Sequence, residues 1–278
     1  MIMQGSNIKP IDASWYLDKT KNETRQSDFI NSRLPGSTFF DIDDICDATS
    51  HLPHMLPSAD VFAQKVGELG ISPESHVVIY TKNNCFSSAR VWWMFRLFNH
   101  QRVSILDGGF GAWESSGGEI ESGEFEPQEK ASYDIPKANR KLVADMSEVN
   151  SVVSSGMCQI CDARSAERFA GIVPEPRPGV ASGHIPGSLN LPFQLVLKEG
   201  DMCFFRSPEE ISRIFEGRGI VRGAKVIFTC GSGVTAAVLA FARRLTNVPE
   251  DLSVVYDGSW SEWGSVETTP KISMKNTN

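Results

Sequence analysis

The chain repeats part of its own sequence once, at a spacing of about 150 residues. Four short segments of the first half recur in the same order in the second half, at a nearly constant offset. Several ordered matches at one offset indicate the duplication of a domain, so we expect two halves with the same fold. The matched segments are Asp12–Ser14 with Asp162–Arg164, Leu34–Ser37 with Ile185–Ser188, Val77–Thr81 with Lys225–Thr229, and Asp107–Gly109 with Asp257–Ser259.

The length of the chain also fits two domains. Its 278 residues leave room for two domains of roughly 130–140 residues, a common size for one hydrophobic core. Between the repeats, the segment 114–141 is rich in glutamate and shows no apolar periodicity, which is typical of an exposed connection. We therefore expect a first domain at 1–125, a linker at 126–141 and a second domain at 142–278.

Each half alternates short apolar runs with helical patterns. Residues 77–80 and 226–228 are β-branched or aromatic, as in strands that are buried on both faces of a sheet. Residues 58–69 and 235–245 contain good helix formers, with apolar residues three and four positions apart. This alternation predicts an α/β fold in which each half is a mostly parallel sheet flanked by helices.

Charge and composition argue against several classes of partner. The chain has 27 Lys and Arg residues and 34 Asp and Glu residues, and its net charge is therefore negative. We expect no direct nucleic-acid binding, because phosphate contacts need an excess of basic residues. No apolar run approaches the roughly 20 residues that a membrane span requires, so no membrane partner is expected. The six cysteines are too irregularly spaced for a disulfide framework. Without a recognisable targeting segment, we expect a cytoplasmic protein, with a mitochondrial location as the alternative.

The segment 226–236 carries the strongest chemical signal. A buried strand ends at Thr229, a glycine-containing loop begins with Cys230, and a helix starts near Thr235. Successive N–H groups of such a loop can form an anion site, to which the helix N-terminus adds partial positive charge. A cysteine there is expected to have a lowered pKa and to react as a thiolate. A lone cysteine is more often structural, but this context favours Cys230 as a nucleophile.

The loop Cys-Gly-Ser-Gly-Val-Thr at 230–235 resembles the active-site loop of the rhodanese superfamily of sulfurtransferases. With the two-domain arrangement, it is similar to the thiosulfate and 3-mercaptopyruvate branch of that family, and the resemblance covers nearly the whole chain. It implies two tandem rhodanese-like domains, of which the first is catalytically inactive, and a persulfide formed on Cys230. Other matching segments are 35–43, 53–56, 86–96, 107–108, 162–169, 175–177, 183–191 and 256–263.

The resemblance implies a set of substrate-binding residues. Arg168 and Arg177 match family positions that hold the carboxylate and carbonyl of mercaptopyruvate, a task that suits the charged, forked guanidinium group. Taken alone, two arginines would be interpreted as surface residues. The N–H groups of the loop are expected to hold the persulfide. This adds Gly231, Gly233, Val234 and Thr235 to the predicted substrate-binding residues.

The resemblance also implies a proton-handling triad. Asp43 and His54 from the first half and Ser232 from the loop match family positions that protonate the departing pyruvate enolate. Such a triad requires the two domains to be docked, with the active site in their cleft. Without the resemblance, His54 would be interpreted as an ordinary loop histidine.

The loop composition bears on the sulfur donor. Thiosulfate-preferring relatives carry basic residues after the cysteine, whereas this chain has Gly231 and Ser232. We therefore expect 3-mercaptopyruvate as the preferred donor and weaker activity on thiosulfate, with a thiosulfate sulfurtransferase as the alternative function. The expected acceptor is a thiol such as that of thioredoxin. No cofactor and no metal are expected.

Two further functions are known on this fold. A cysteine phosphatase or arsenate reductase needs an arginine six residues after the cysteine, where this chain has Ala236. A persulfide-relay protein that serves tRNA thiolation or cofactor assembly stays open beside the enzyme. The presence of Arg168, Arg177 and the predicted triad favours turnover of a small substrate.

The remaining cysteines give weaker signals. The repeat offset places Lys82 opposite Cys230, so the first half is expected to have lost its nucleophile. Cys85 lacks flanking glycines and is interpreted as structural. Cys158 and Cys161 have the spacing of a metal or redox pair, but no second pair accompanies them, and residues three apart on a strand point to opposite faces.

Overall fold

A computed structural model of the chain describes residues 7–16, 25–82, 84–134 and 137–274. These residues form two compact units. The first unit contains the described residues up to Ala48, Leu56–Asn139 and Glu199–Phe205. The second unit contains Thr49–Met55, Arg140–Lys198 and the described residues from Arg206 onward.

The elements of the first half build a four-stranded sheet in the first unit. They are β1 (Ile8–Asp12), α1 (Arg25–Asn31), β2 (Thr38–Phe39), α2 (Ala59–Glu68), β3 (His76–Tyr80), α3 (Phe86–Leu97), β4 (Val103–Ile105) and α4 (Gly109–Ser115). The strand order is β2-β1-β3-β4, and neighbouring strands are parallel. An aromatic core supports the helices, where the ring of Phe62 lies 5.3 Å from that of Phe95 and 4.2 Å from that of Phe98.

The second half contains the strands of a five-stranded sheet in the second unit. Its elements are β5 (Val143–Ala144), α5 (Met146–Ser155), β6 (Gln159–Asp162), α6 (Ala166–Phe169), β7 (Leu189–Asn190), β8 (Leu197–Lys198), β9 (Asp201–Phe205), α7 (Pro208–Gly217), β10 (Val226–Thr229), α8 (Val234–Leu245), β11 (Ser253–Tyr256) and α9 (Ser259–Trp263). The order in the sheet is β5-β11-β10-β6-β7, again with parallel neighbours.

The middle of the second sheet is fully buried. Every residue of β10 and β11 is buried, a position that suits the branched and aromatic side chains of Ile227 and Phe228. The strand β10 pairs in parallel with β6 and with β11. Because parallel strands end at the same edge, the loops that follow Asp162, Thr229 and Tyr256 gather at one edge of the sheet.

The predicted fold class is confirmed. Both units are α/β structures with parallel sheets flanked by helices. The strands predicted at 77–80 and 226–228 lie within β3 and β10, and the helices predicted at 58–69 and 235–245 correspond to α2 and α8. Across the part of the chain that the structure describes, no helix is both long and apolar enough to cross a membrane.

The strand registers align the two halves differently from the sequence match. Asp12 pairs with Tyr80 in the first sheet, and at the equivalent point of the second sheet Asp162 pairs with Thr229. The residues that follow Tyr80 and Thr229 therefore correspond to each other. Thr81 thus holds, in the first unit, the position of the loop cysteine in the second.

The prediction that Lys82 replaces Cys230 is wrong by one residue. Short runs of branched residues match each other in adjacent registers, and only the strand pairing decides between them. Lys82 corresponds instead to Gly231. Its ammonium group donates hydrogen bonds to the carbonyl oxygens of Asp28 and Ser32. The first unit thus places a threonine where the second places its cysteine.

The residues predicted as a linker, 126–141, belong mostly to the first unit, which extends to residue 139. The N–H group of Ala131 donates to the carbonyl oxygen of Gly67 at 2.9 Å, and Tyr133 is buried. The sequence pattern missed this packing because it depends on main-chain bonds and one aromatic ring rather than on an apolar stripe. Positions 135 and 136 lie outside the described residues.

Two short segments belong to the unit built mainly from the other half. Thr49–Met55 groups with the second unit, and Glu199–Phe205 groups with the first. Within the first unit, the N–H group of Cys85 donates to the carbonyl oxygen of Met202 at 2.9 Å. The two segments are about 150 residues apart in the chain, as the repeats are. The predicted boundaries at 125 and 142 place both segments in the opposite domains.

The packing of the segment around Ala131 generates a prediction. A Cβ atom at Gly67 would lie 2.5 Å from the carbonyl oxygen of Ala131, so Gly67→Ala forces the backbone apart. We expect the free energy of unfolding to fall by about 1–3 kcal/mol, as for other overpacked sites, measured by urea denaturation. As a control, Gly217→Ala meets no atom within 4 Å and should leave stability unchanged or slightly raised. Equal effects of both substitutions would contradict the contact.

Candidate active site

Cys230 lies directly after β10, at the carboxyl edge of the second sheet. The residue is 1 % exposed and its thiol is free. The buried strand β10 and the helix α8 fix the two ends of the loop that contains it. The structure therefore places the predicted nucleophile where loops from neighbouring strands converge.

The first turn of α9 binds the main chain of this loop. The N–H group of Cys230 donates to the hydroxyl oxygen of Ser259 at 3.2 Å, and its carbonyl oxygen accepts from the N–H group of Trp260 at 3.0 Å. The carbonyl oxygen of Gly231 accepts from the N–H group of Ser261 at 2.9 Å and from its hydroxyl at 2.5 Å. The first turn of α9 thus holds three successive peptide groups, from the one that precedes Cys230 to the one that follows Gly231.

The N–H groups of Gly231 and Ser232 are available to an anion. Within the described part of the chain, no hydrogen-bond acceptor faces the N–H groups of Gly231 and Ser232. Gly233 has a left-handed conformation (φ 75°) and precedes the first residue of α8, Val234. Helix N-termini carry partial positive charge and unpaired N–H groups, which Val234 and Thr235 contribute here. The predicted anion site therefore begins after Cys230, because the N–H group of Cys230 itself is already bonded.

Two guanidinium groups lie against the loop beside Cys230. A Cβ atom built on Gly231 would lie 3.2 Å from Nη2 of Arg168 and 3.8 Å from Nη1 of Arg177. A larger residue at this position would displace the Arg168 side chain. Gly231 therefore allows both arginines to approach the main chain next to the thiol, and the structure brings the two predicted substrate-binding arginines together.

A buried chain of alternating charges holds Arg168. Its Nη2 and Nε atoms donate to the carboxylate of Glu175 at 2.5 and 3.2 Å. Glu175 also accepts from Arg164 at 2.8 Å, and Arg164 donates to both carboxylate oxygens of Asp162. The side chains of Asp162 and Arg164 are 0 % exposed and that of Glu175 is 5 % exposed. The orientation of Arg168 is therefore set by a network that solvent barely reaches.

Arg177 differs from Arg168 in its surroundings. Among the described residues, no carboxylate forms an ion pair with Arg177, which is partly buried. Burial lowers the pKa of its guanidinium, Arg168 acts in the same direction, and Cys230 and Glu175 oppose the change. At neutral pH an arginine remains charged. Arg177 therefore supplies a positive charge with which no carboxylate of the described chain forms an ion pair.

The predicted triad is divided between the two units. Ser232 is 8 % exposed and lies in the loop of the second unit. His54 belongs to the same unit, through the segment Thr49–Met55, and is also 8 % exposed. Asp43 belongs to the first unit, where its carboxylate accepts from Arg25 at 2.8 Å and from the indole of Trp15 at 3.0 Å. The joint role of the three residues stays a prediction.

Four residues of this region were not predicted from the sequence. Asp162, Arg164 and Glu175 stood inside matched motifs, but nothing in their spacing indicated that they form one network. Ser259 is 29 positions from Cys230, the residue that it contacts. Comparison of the two repeats offered one signal. Arg164 in the second half replaces Ser14 of the first half, and this difference marks Arg164 as specific to the half that contains Cys230.

Burial raises the pKa of four other cysteine thiols. Cys85 and Cys161 are buried, and burial raises the pKa of both thiols. Burial also raises the pKa of Cys158, which is partly exposed just before β6, and raises that of Cys203 to about 11. Thiols with raised pKa values are poor nucleophiles at neutral pH.

Comparison with known proteins assigns the class. The model of the rhodanese-like domain matches residues 8–116 and 143–265, so the chain belongs to the rhodanese-like family. It is 43 % identical over 259 residues to a 3-mercaptopyruvate sulfurtransferase from Rattus norvegicus, which covers 92 % of this chain and 84 % of the relative. It is 40 % identical over 265 residues to a thiosulfate sulfurtransferase from Cricetulus griseus, covering 93 % and 86 % of the two chains.

A solved structure places the chain more narrowly. The crystal structure of a 3-mercaptopyruvate sulfotransferase from Escherichia coli matches with a TM-score of 0.79 at 36 % identity, covering 91 % of this chain and 93 % of the other. Within the rhodanese-like family, the chain therefore falls among the tandem-domain proteins that include 3-mercaptopyruvate and thiosulfate sulfurtransferases, as the sequence resemblance implied.

The charge network generates a prediction. Glu175→Gln removes the carboxylate that bridges Arg164 and Arg168, so that Asp162 is the one carboxylate left in this buried network. We expect the free energy of unfolding to fall by about 3 kcal/mol, since breaking a buried ion pair leaves an uncompensated charge. Urea denaturation would measure the change. Glu167→Gln, at an exposed position beside Arg168 in sequence, should stay within about 0.5 kcal/mol of the parent, and a similar loss there would refute the network argument.

Proposed function

We propose that this chain transfers sulfur from 3-mercaptopyruvate to a thiol acceptor through a persulfide on Cys230, and releases pyruvate. The observation that carries the proposal is the pair of guanidinium groups of Arg168 and Arg177 against Gly231, next to the cysteine. A 2-keto acid presents a carboxylate and a carbonyl on adjacent carbons. Two neighbouring arginines can bind both groups and leave the thiol on the third carbon facing the nucleophile.

The two arginines have different tasks in this proposal. Arg177, which forms no ion pair with a carboxylate of the described chain, binds the substrate carboxylate and compensates its charge. Arg168 is already paired with Glu175, so it contributes oriented N–H donors to the carbonyl oxygen rather than net charge. Polarising that carbonyl stabilises the enolate that forms when the carbon–sulfur bond breaks.

The first half-reaction forms the persulfide. The Cys230 thiolate attacks the substrate sulfur, a sulfur–sulfur bond forms, and the electron pair of the carbon–sulfur bond remains on the organic fragment as pyruvate enolate. A proton added to its third carbon gives pyruvate. We assign the delivery of this proton to Ser232 and His54 of the second unit, with Asp43 as their predicted third member.

The second half-reaction regenerates the enzyme. The acceptor thiolate attacks the outer sulfur of the persulfide, forms its own persulfide and returns the Cys230 thiolate. Between the two steps, the outer sulfur is an anion. The N–H groups of Gly231 and Ser232, and those at the start of α8, are placed to stabilise it. A thiol acceptor such as thioredoxin is proposed, and the cytoplasmic location stays a prediction.

Thiosulfate is the second candidate donor. The similarity to a thiosulfate sulfurtransferase and the positive charge of Arg177 favour some turnover of this anion. Gly231 and Ser232 offer no side-chain cation to its sulfonate group, which supports thiosulfate as the weaker substrate. Ala236, buried in the first turn of α8, supplies no guanidinium for phosphoryl or arsenate chemistry.

The persulfide is testable by mass and by product. With 3-mercaptopyruvate and dithiothreitol, the protein should release pyruvate, and without dithiothreitol it should gain about 32 Da on Cys230, the mass of one sulfur atom bound to the nucleophile. Cys230→Ser should lose both signals. Cys158→Ser, which removes a partly exposed cysteine outside the site, should keep both. Persulfide or pyruvate from the Cys230→Ser variant would rule out this mechanism.

The proposed binding of the substrate carboxylate by Arg177 predicts that its removal impairs turnover of 3-mercaptopyruvate more than turnover of thiosulfate. Arg177→Ala should lower kcat/KM for 3-mercaptopyruvate by about 10–100-fold, the effect of one charge-assisted hydrogen-bonding partner. The loss on thiosulfate should be smaller, because that donor has no carboxylate. Arg213→Ala, at an exposed arginine of α7, serves as the control and should change neither value. An equal loss on both donors would contradict carboxylate binding by Arg177.

A further inference from the structure

Ser259 has an unusual backbone for a residue with a side chain. Its φ angle is 51°, in the left-handed region that costs energy for residues other than glycine. It is 0 % exposed and forms the first residue of α9. Residues that keep such a conformation in a buried turn cluster at functional sites, where the surrounding structure holds them in place.

The hydroxyl group of Ser259 has a defined orientation. It donates its hydrogen to the carbonyl oxygen of Tyr256 at 2.7 Å. Its lone pairs are therefore directed elsewhere, and one accepts the N–H group of Cys230 at 3.2 Å. The hydroxyl thus connects the end of β11 with the residue that follows β10.

The duplicated half provides a natural comparison. The repeat places Gly109 opposite Ser259, and its φ angle of 56° is nearly the same. A Cβ atom on Gly109 would collide with the carbonyl oxygen of Thr81, the residue at the cysteine position of the first unit. The half without a nucleophile therefore has the unstrained glycine at this turn. The half with the nucleophile has a strained serine whose hydroxyl contacts it.

We propose that Ser259 is a positioning residue for the nucleophile. Its hydroxyl holds the N–H group of Cys230, while the N–H group of Trp260 holds the carbonyl oxygen. With both peptide groups fixed, the φ and ψ angles of Cys230 are fixed, and so is the direction of the Cα–Cβ bond that carries its thiol toward the loop N–H groups and the two arginines. Precise placement of a reacting atom acts on the rate of the chemical step rather than on substrate binding.

This inference rests on the proposed role of Cys230, and the test uses two variants with opposite backbone effects. Ser259→Ala removes the hydroxyl and keeps the strained conformation. Ser259→Gly removes the hydroxyl and relieves the strain. Both should lower kcat for 3-mercaptopyruvate about tenfold or more and change KM less than about twofold, since the arginines are untouched. The Gly variant should melt at a higher temperature than the Ala variant.

Ser188→Ala is the matched control. The Ser188 hydroxyl also donates to a carbonyl oxygen three residues earlier, at 2.6 Å, but it does not contact the loop. It should keep the parent kcat. A purely structural role for Ser259 predicts that activity follows stability, with the Gly variant as active as the parent. That result, or full kcat in both Ser259 variants, or a rise in KM alone, would overturn the inference.

Persulfide formation separates this inference from the identity of the donor. The rate of the 32 Da gain on Cys230 should fall in both Ser259 variants when thiosulfate replaces 3-mercaptopyruvate. If the parent protein forms a persulfide from thiosulfate but no pyruvate from 3-mercaptopyruvate, the proposed donor fails while the thiosulfate rates still decide the role of Ser259. If the parent forms a persulfide from neither donor, both proposals fail together.

Discussion

The buried ion pair between Asp162 and Arg164 connects the two parts of the candidate active site. The Arg164 guanidinium lies over the ring of Trp260, 4.5 Å from its centroid, and the N–H group of Trp260 holds the carbonyl oxygen of the loop cysteine. The same guanidinium donates to Glu175, which holds Arg168. One side chain just after β6 therefore positions both the main chain of Cys230, the proposed nucleophile, and Arg168, a proposed substrate-binding residue. A buried ion pair often contributes little net stability, but it fixes geometry strictly because its partners must stay paired.

The first half shows what happens to such a pair without the arginine. Asp12 is buried at the position of Asp162, and its neighbour is Ser14, whose N–H group donates to it at 2.8 Å. Burial raises the pKa of Asp12, and the bonds from Ser14 and the charge of Lys82 offset this only in part. The carboxylate has kept its place in the fold, while the guanidinium that would carry its effect to a site is absent. The duplicated half has thus retained a framework without the connections that make the second half chemically useful.

Sequence reasoning succeeded where the signal was local and failed where it depended on register or distance. The buried strands and the strand–loop–helix around Cys230 follow from periodicity and glycine placement within short windows, and the duplication follows from matches between such windows at one offset. The equivalence of Thr81 and Cys230 was missed because neighbouring registers of branched residues look alike until strands pair. Glu175 and Ser259 were missed because each acquires its role from partners that folding brings together, and their own residue types are common in loops.

The grouping of Glu199–Phe205 with the first unit affects the order in which the chain can fold during synthesis. Glu199–Phe205 completes the first unit, in which its Cys203 carbonyl accepts the N–H group of Gly108 at 2.9 Å. During synthesis, domains near the N-terminus usually fold before the rest of the chain appears. Here Glu199–Phe205 follows most of the first unit by some sixty residues of the second unit, so it leaves the ribosome only after those residues. The first unit therefore reaches its full set of contacts only late in synthesis, although its four-stranded sheet lies entirely in the first half of the chain.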